Sequence, residues 1–274
     1  MKQRAITTLV GIPIALVIIL WPGGVPATVA VGVILALAYS EFVSLCAAAG
    51  FAARLWEGTA GITLLVLAVQ GRVPVDGWIG AAGMVLAGLV VLFETVRSDR
   101  RPVAALGPTL MGVAWIGGLG SLFIAVRFAN ISDGVTLWSR DTGGWAAVAL
   151  LIVVWSLDIF AYLIGKTFGR TLLAPSLSPK KTLEGALGGF FAAAIAGVVV
   201  HSMLGISIQS GAMLGAAIGL AGQVGDLFES AVKREVGVKD SGGMLPGHGG
   251  WLDRIDSLLF ASAIAAWWLT AGPR

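Results

Sequence analysis

Residues 145–165 read WAAVALLIVVWSLDIFAYLIG, an apolar run whose one charge, Asp158, falls late in it. A helix that crosses a bilayer needs about 20 mostly apolar residues, within a range near 17–25. This stretch meets that length and is too long for a buried core strand. Working outward from it, comparable segments occur at 5–22, 27–49, 55–70, 77–96, 103–128, 185–206, 210–229 and 255–271. The expected fold is an all-α, polytopic integral membrane helix bundle of about nine transmembrane helices.

Composition agrees. Of 274 residues, 57% are hydrophobic, a further 39 are glycine, and only 12% are charged. An average soluble domain is roughly 45–50% apolar with glycine included and about 25% charged. A soluble globule could not hide that much apolar surface. Disorder would require few apolar residues, and a transmembrane β-barrel would alternate in segments of about ten. The single cysteine, Cys46, cannot form an internal disulfide and is silent on redox compartment. Lys2 and Arg4 resemble the start of a signal peptide. The apolar run behind them is long and lacks a clear small-residue cleavage site, so a retained first helix is expected.

With nine spans and the N-terminus inside, 14 of the 18 basic residues fall on the inner side, leaving Arg72, Arg127, Arg140 and Arg274 outside. Positive residues concentrate on the cytoplasmic side of membrane proteins. The expected location is the cytoplasmic (inner) membrane, with the C-terminus outside. The basic loop 97–102 is read as a topological anchor. The chain divides into an N-terminal hydrophobic multi-helix region, 1–140, and a C-terminal catalytic membrane region, 141–274, with cytoplasmic loops 166–184 and 230–254.

Three stretches break the apolar pattern, all on the inferred inner side. In the first, Asp158 is followed at i+4 by Tyr162 and then by Gly165-Lys166. A charge near a helix centre is costly and usually faces a partner or a polar cavity. In the second, Ser178-Pro179 reads as an N-cap and first helical residue, ahead of Lys180-Lys181-Thr182-Leu183-Glu184-Gly185. Lysines in a first turn oppose the helix dipole, unless an anion docks among the free N–H groups. Anchoring the seventh helix is the plainer role for the same lysines.

The third stretch runs from Gly225 to Asp256. Asp226, Glu229, Ser230 and Lys233 step along one helix face, and Asp253 and Asp256 do so at the start of the last helix. Between them, glycine takes five of the nine positions from 242 to 250. Such a loop brings backbone N–H groups close to an anion. Carboxylates from two helix ends suit a hard divalent cation such as Mg²⁺, and the surrounding lysines and arginines suit polyphosphate. Together these are the equipment of phosphoryl or nucleotidyl transfer, at a place that meets one lipid-borne and one soluble substrate.

The spacing Ser230-x-x-Lys233-Arg234, Lys239-Asp240-x-Gly242-x-x-Leu245-Pro246-x-His248-Gly249-Gly250-x-x-Asp253-Arg254-Ile255-Asp256 resembles the signature of the phosphatidate cytidylyltransferases, or CDP-diacylglycerol synthases. The two upstream stretches are similar to that family's motifs in the same order. Trp251 departs from the aliphatic residue or Phe expected there. The resemblance covers about 158–256; the first 140 residues match only as a hydrophobic multi-helix region.

The resemblance implies transfer of CMP from CTP to phosphatidate for phospholipid biosynthesis, with release of pyrophosphate. It also implies dependence on Mg²⁺, with K⁺ as a companion, and a homodimer in the lipid bilayer; no nucleic-acid partner is expected. On this basis the expected catalytic residues are Asp226, Lys233, Arg234, Lys239, Asp253 and Asp256, with Asp226, Asp253 and Asp256 on the metal. The expected substrate-binding residues are Asp158, Tyr162, Lys166, Ser178, Lys180, Lys181 and Glu184, followed by Ser230, His248, Gly249, Gly250 and Arg254. A phosphomonoester has a second pKa near 6, so phosphatidate needs no general base. His248 is therefore read as a phosphate hydrogen-bond partner or a structural residue of the loop. Two rival readings stand beside this one: a CTP-dependent lipid-alcohol kinase, which would have to deprotonate a hydroxyl, and a transporter of anionic solutes, which would hold its polar residues at the midplane.

Overall fold

The computed structural model describes residues 2–70, 102–130, 141–244 and 249–271. Eight helices make up most of the described residues: α1 (Lys2–Leu20), α2 (Val25–Ala48), α3 (Leu55–Gln70), α4 (Pro102–Arg127), α5 (Thr142–Phe168), α6 (Leu183–Leu204), α7 (Ile208–Glu235) and α8 (Leu252–Ala271). Among the described residues, α2, α4 from Ala104, α5, α6 and α7 are long and apolar enough to cross a membrane. The stretch Gly11–Leu20 of α1 and all of α3 are shorter apolar helices. The expected fourth segment, 77–96, lies outside the described residues. The polytopic all-α bundle is borne out; the count of nine is not established.

Helix ends differ from the apolar runs because polar residues extend the helices past the hydrocarbon. The run 210–229 belongs to a 28-residue helix that continues through Lys233 and Arg234 to Glu235. Asp226 is therefore interior to α7, not at its end.

Two buried clusters hold the bundle together. One surrounds α5, with residues of α4, α6, α7 and the second half of α8, including Leu157, Ile218 and Trp268. The other joins α2, α3 and α4 to Leu252, Ile255 and Leu259 in the first half of α8. The last helix thus packs against the N-terminal region along the same face that leads into the signature loop. Inside α4, Val113–Leu119 forms a π-helical segment. It seats Trp115 edge-on to Phe42 of α2, at 5.9 Å between centroids, and to Phe228 of α7, at 4.8 Å. Such a segment shifts the facing of a helix by inserting a residue per turn.

The helices pack closely where glycine allows it. A Cβ on Gly215 of α7 would lie 2.3 Å from the carbonyl oxygen of Ala193 in α6. Small residues at such crossings are a common means of packing helices in lipid.

One end of the bundle is closed by Arg127. Its guanidinium donates Nη1 to Asp141 Oδ1 at 2.9 Å, Nη2 to Asp141 Oδ2 at 2.6 Å, and Nε to the Ile19 carbonyl at 2.6 Å. This two-pronged pairing ties the ends of α1 and α4 to the start of α5. From there α5 runs 27 residues to its other end, roughly 40 Å away at 1.5 Å per residue. The charged loops gather at that far end.

There the expected helix start at Ser178-Pro179 is corrected. Leu172–Ala174 (β1) and Ser178–Thr182 (β2) form an antiparallel hairpin, pairing Leu172 with Thr182 and Ala174 with Ser178. Proline has no N–H to donate and fits the edge of so small a sheet. The N-cap of α6 is Thr182, whose Oγ1 accepts from Gly185 N at 3.2 Å. Lys180 and Lys181 therefore extend from a strand, and the first-turn acid that complements the helix dipole is Glu184.

Candidate active site

A cavity of about 710 Å³ opens where the last turns of α5, the hairpin, the middle of α7 and the start of α8 converge. Close passage of α5 and α6 builds its floor: a Cβ on Gly185 would lie 2.7 Å from the Ala161 carbonyl oxygen and 3.0 Å from Gly165 Cα. Asp158, Tyr162 and Lys166 enter from α5, Lys180 and Lys181 from β2, Asp226 from α7, and Asp253, Arg254 and Asp256 from α8. Nine residues singled out in the sequence therefore share one enclosure.

Asp226 and Asp256 of its lining form an acidic cluster with Glu229, which is buried and does not line the cavity. One carboxylate oxygen from each lies within 4.8 Å of the other two. Like charges so close repel strongly unless a cation or protons intervene. Lys181 supplies part of the compensation through its Nζ contact with Asp226 Oδ2. Glu229 Oε1, however, is buried with no hydrogen-bond partner. An orphaned anionic oxygen amid three carboxylates fits a hard, oxygen-seeking cation. Glu229 lies one turn beyond Asp226, a spacing visible in the sequence although Glu229 was not among the expected site residues.

Asp253 is placed differently from Asp226 and Asp256. Lys233 Nζ donates to Glu229 Oε2 at 2.7 Å and to Asp253 Oδ1 at 2.6 Å. The second oxygen, Asp253 Oδ2, accepts from Ser241 N at 3.0 Å and Gly250 N at 2.8 Å. The structure thus groups Asp226 and Asp256 with Glu229, and engages Asp253 with Lys233 and the loop backbone. Lys233 is buried between the two acids rather than set in the cavity wall.

Several other expected site residues serve the framework of the cavity. Arg234 donates Nε to the Leu177 carbonyl at 2.9 Å and Nη1 to the Val238 carbonyl at 2.6 Å, joining the hairpin turn to the end of α7. Glu184 accepts from the backbone of Arg170 at 3.1 Å and Thr171 at 3.2 Å, which closes the loop after α5. Ser178 is half-buried in β2, Ser230 is buried in α7, and Lys239 is exposed; none of these lines the cavity. Gly249 has φ +79°, and a Cβ there would meet Asp253 Oδ2 at 2.7 Å. Gly249 and Gly250 thus shape the turn that receives Asp253. His248 lies outside the described residues.

Tyr162 and Lys166 sit together at the α5 side of the opening, the ammonium 5.6 Å from the ring centroid. Gln223, one turn before Asp226, lines the cavity and donates Nε2 to the Ala186 carbonyl at 3.1 Å. Neither Gln223 nor buried Glu41 was expected at the site. Glu41 reaches the signature loop from α2, and its partners lie some 200 residues away in the chain, so no local pattern marks it.

Chemically, the cavity holds acids able to bind a cation beside Lys166, Lys180, Lys181 and Arg254, which suit phosphate. It sits at the ends of membrane-length helices. Known proteins similar to this chain include several named as phosphatidate cytidylyltransferases. The cytidylyltransferase family model matches residues 2–271. A phosphatidate cytidylyltransferase of Brucella abortus is 36% identical over 234 residues, covering 76% of this chain and 84% of that protein. One from Synechocystis is 30% identical over 285 residues, covering 96% and 94%. One from Staphylococcus aureus is 31% identical over 263 residues, covering 95% of each. With the family model spanning the chain from its second residue to the end of α8, and relatives aligned along nearly all of it, the chain belongs to the cytidylyltransferase family.

Proposed function

We propose that the protein transfers CMP from CTP to phosphatidate, giving CDP-diacylglycerol and pyrophosphate. The observation that carries this reading is one cavity whose lining combines Asp226 and Asp256 of a three-carboxylate cluster with four cationic side chains, at the end of a membrane bundle. An oxygen of the phosphatidate phosphomonoester attacks the α-phosphorus of CTP. The new P–O bond forms as the bond to the α,β-bridging oxygen breaks, and pyrophosphate leaves with that electron pair. The attacking group is already largely dianionic at pH 7, so no side chain has to remove a proton.

The barrier is repulsion between two anions, and the side chains address it electrostatically. Lys180, Lys181 and Arg254 neutralise the triphosphate and the departing pyrophosphate. Lys166, beside Tyr162 at the α5 edge, receives the lipid phosphate. Lys181 also restrains Asp226, so its charge is positioned before substrate arrives. Asp226, Glu229 and Asp256 would hold Mg²⁺, which supplies charge neutralisation at the phosphates when bound, and their surplus negative charge also suits a K⁺ companion. Asp253 and Lys233 keep the start of α8 in register with α7.

The decisive experiment uses the purified full-length chain in phosphatidate mixed micelles with CTP labelled at the α-phosphate. Label should enter the chloroform-soluble product in step with pyrophosphate release. In parallel micelles of diacylglycerol with γ-labelled CTP, transfer of label to the lipid would establish the kinase instead. Absence of any labelled lipid, with CTP bound, would overturn both enzyme readings.

As part of this proposal the enzyme is a homodimer in the cytoplasmic membrane, with its N-terminus and catalytic cavity inside. Exposed Leu187, Phe191, Ile195 and Val199 along α6 support contact with lipid or a second copy. The 14-to-4 distribution of basic residues supports the orientation. Ser176→Cys and Lys239→Cys, each in a Cys46→Ala background, should resist an impermeant thiol reagent in intact cells and react after permeabilisation. Reaction of both from outside would reverse the orientation.

A further inference from the structure

Glu41 is a carboxylate in an apolar helix, 3% exposed, whose hydrogen-bond partners among the described residues are Ser241, Trp251 and Leu252. Oε1 accepts from Trp251 N at 3.0 Å, and Oε2 accepts from Leu252 N at 3.0 Å and from Ser241 Oγ at 3.1 Å. The backbone donors at Trp251 and Leu252 are the free N–H groups that a helix start leaves unpaired. Glu41 therefore caps α8 from a different helix, with a full negative charge at the positive end of the dipole. The loop is moulded around it. A Cβ on Gly242 would lie 2.6 Å from Glu41 Oε1, and one on Gly250 would lie 2.3 Å from Glu41 Oε2.

Asp253 holds the same neighbourhood, taking the backbone N–H groups of Ser241 and Gly250. Two carboxylates thus hold residues 241 and 250–252 together. The residues that follow immediately, Arg254 and Asp256, line the cavity. A burial cost this large for an anion is offset only when its hydrogen bonds are made, so this set of contacts has one well-defined arrangement. We infer that Glu41 is a positioning residue of the transfer reaction, holding residues 241, 251 and 252 so that Arg254 and Asp256 face the cavity. It touches neither substrate nor cation and acts through the loop.

This inference rests on the proposed CMP transfer, and wild-type protein in the same assay keeps the two apart. An inactive wild type overturns the reaction itself; an active one tests Glu41. Glu41→Gln keeps the size of the side chain but sets an NH₂ group against N–H donors. It should lower kcat at least 10-fold at a temperature where circular dichroism shows the variant fully folded, with KM for CTP changed less than kcat. A residue that merely stabilises would lower Tm and leave kcat intact at that temperature. The second measurement is a cycle. Gly242→Ala pushes a methyl group into the carboxylate and should also lower kcat. Glu41→Asp withdraws the carboxylate by one methylene, and the double variant should be several-fold more active than Gly242→Ala alone. Wild-type kcat in folded Glu41→Gln would overturn the inference. If Glu41→Gln does not fold, strictly multiplicative effects in the Gly242→Ala and Glu41→Asp cycle would overturn it instead.

Discussion

Asp226→Asn and Asp256→Asn should each slow CMP transfer by roughly 10²–10³-fold, the usual loss when a principal electrostatic stabiliser is removed. Asparagine keeps the size and one acceptor oxygen but not the charge that a hard cation needs. Both residues belong to the cluster whose oxygens lie within 4.8 Å of one another, together with Glu229 and its unpartnered Oε1. Removing one negative charge from such a cluster relieves repulsion, so neither variant should unfold the bundle. The two losses should be far from additive, because the acids act as one unit. The readout is kcat as a function of Mg²⁺ concentration. The half-saturating Mg²⁺ concentration should rise, and high Mg²⁺ or Mn²⁺ should recover part of the rate. Near-normal turnover with unchanged Mg²⁺ dependence in both variants would remove the cluster from the mechanism.

Lys233→Met should have the largest effect on stability. Lys233 is buried and donates to Glu229 at 2.7 Å and Asp253 at 2.6 Å. Methionine matches its length but leaves two buried carboxylates facing each other without a cation. Breaking a buried pair in this way typically costs about 3–5 kcal/mol. For a chain of this size the thermal midpoint in detergent should fall by on the order of 10 °C. Activity should fall as well, since Asp253 would no longer be held against α7. Adding Asp253→Asn and Glu229→Gln to Lys233→Met should restore much of the lost stability, because no uncompensated charge remains. It should not restore turnover, since Glu229 also belongs to the acidic cluster. A wild-type midpoint for Lys233→Met would mean that Lys233 contributes nothing net to folding.

The sequence by itself determined the class of molecule and the neighbourhood of its chemistry. Apolar runs of membrane length are a local property, because every backbone group in lipid must bond within its own segment. Spans such as 145–165 were therefore legible, as was the shared helix face of Asp226, Glu229 and Lys233, since a helix face is set by its period alone. The position of Asp253, Arg254 and Asp256 at the head of the last helix was legible for the same reason. The tertiary structure decided everything that depends on which distant surface meets which. Ser178-Pro179 has the local pattern of a helix start, yet antiparallel pairing with Leu172–Ala174 makes it a strand and moves the cap to Thr182. Asp253 and Asp256 look equivalent in sequence, but Lys233 and two backbone N–H groups claim the first, while Glu229 joins the second beside Asp226. Glu41 is the furthest case: in sequence it is one acid in an apolar helix, and its role exists only because α2 packs against the start of α8. A hydrogen bond reaches only about 3 Å, so a carboxylate's role follows the donors that packing brings to it, and local periodicity carries no record of those.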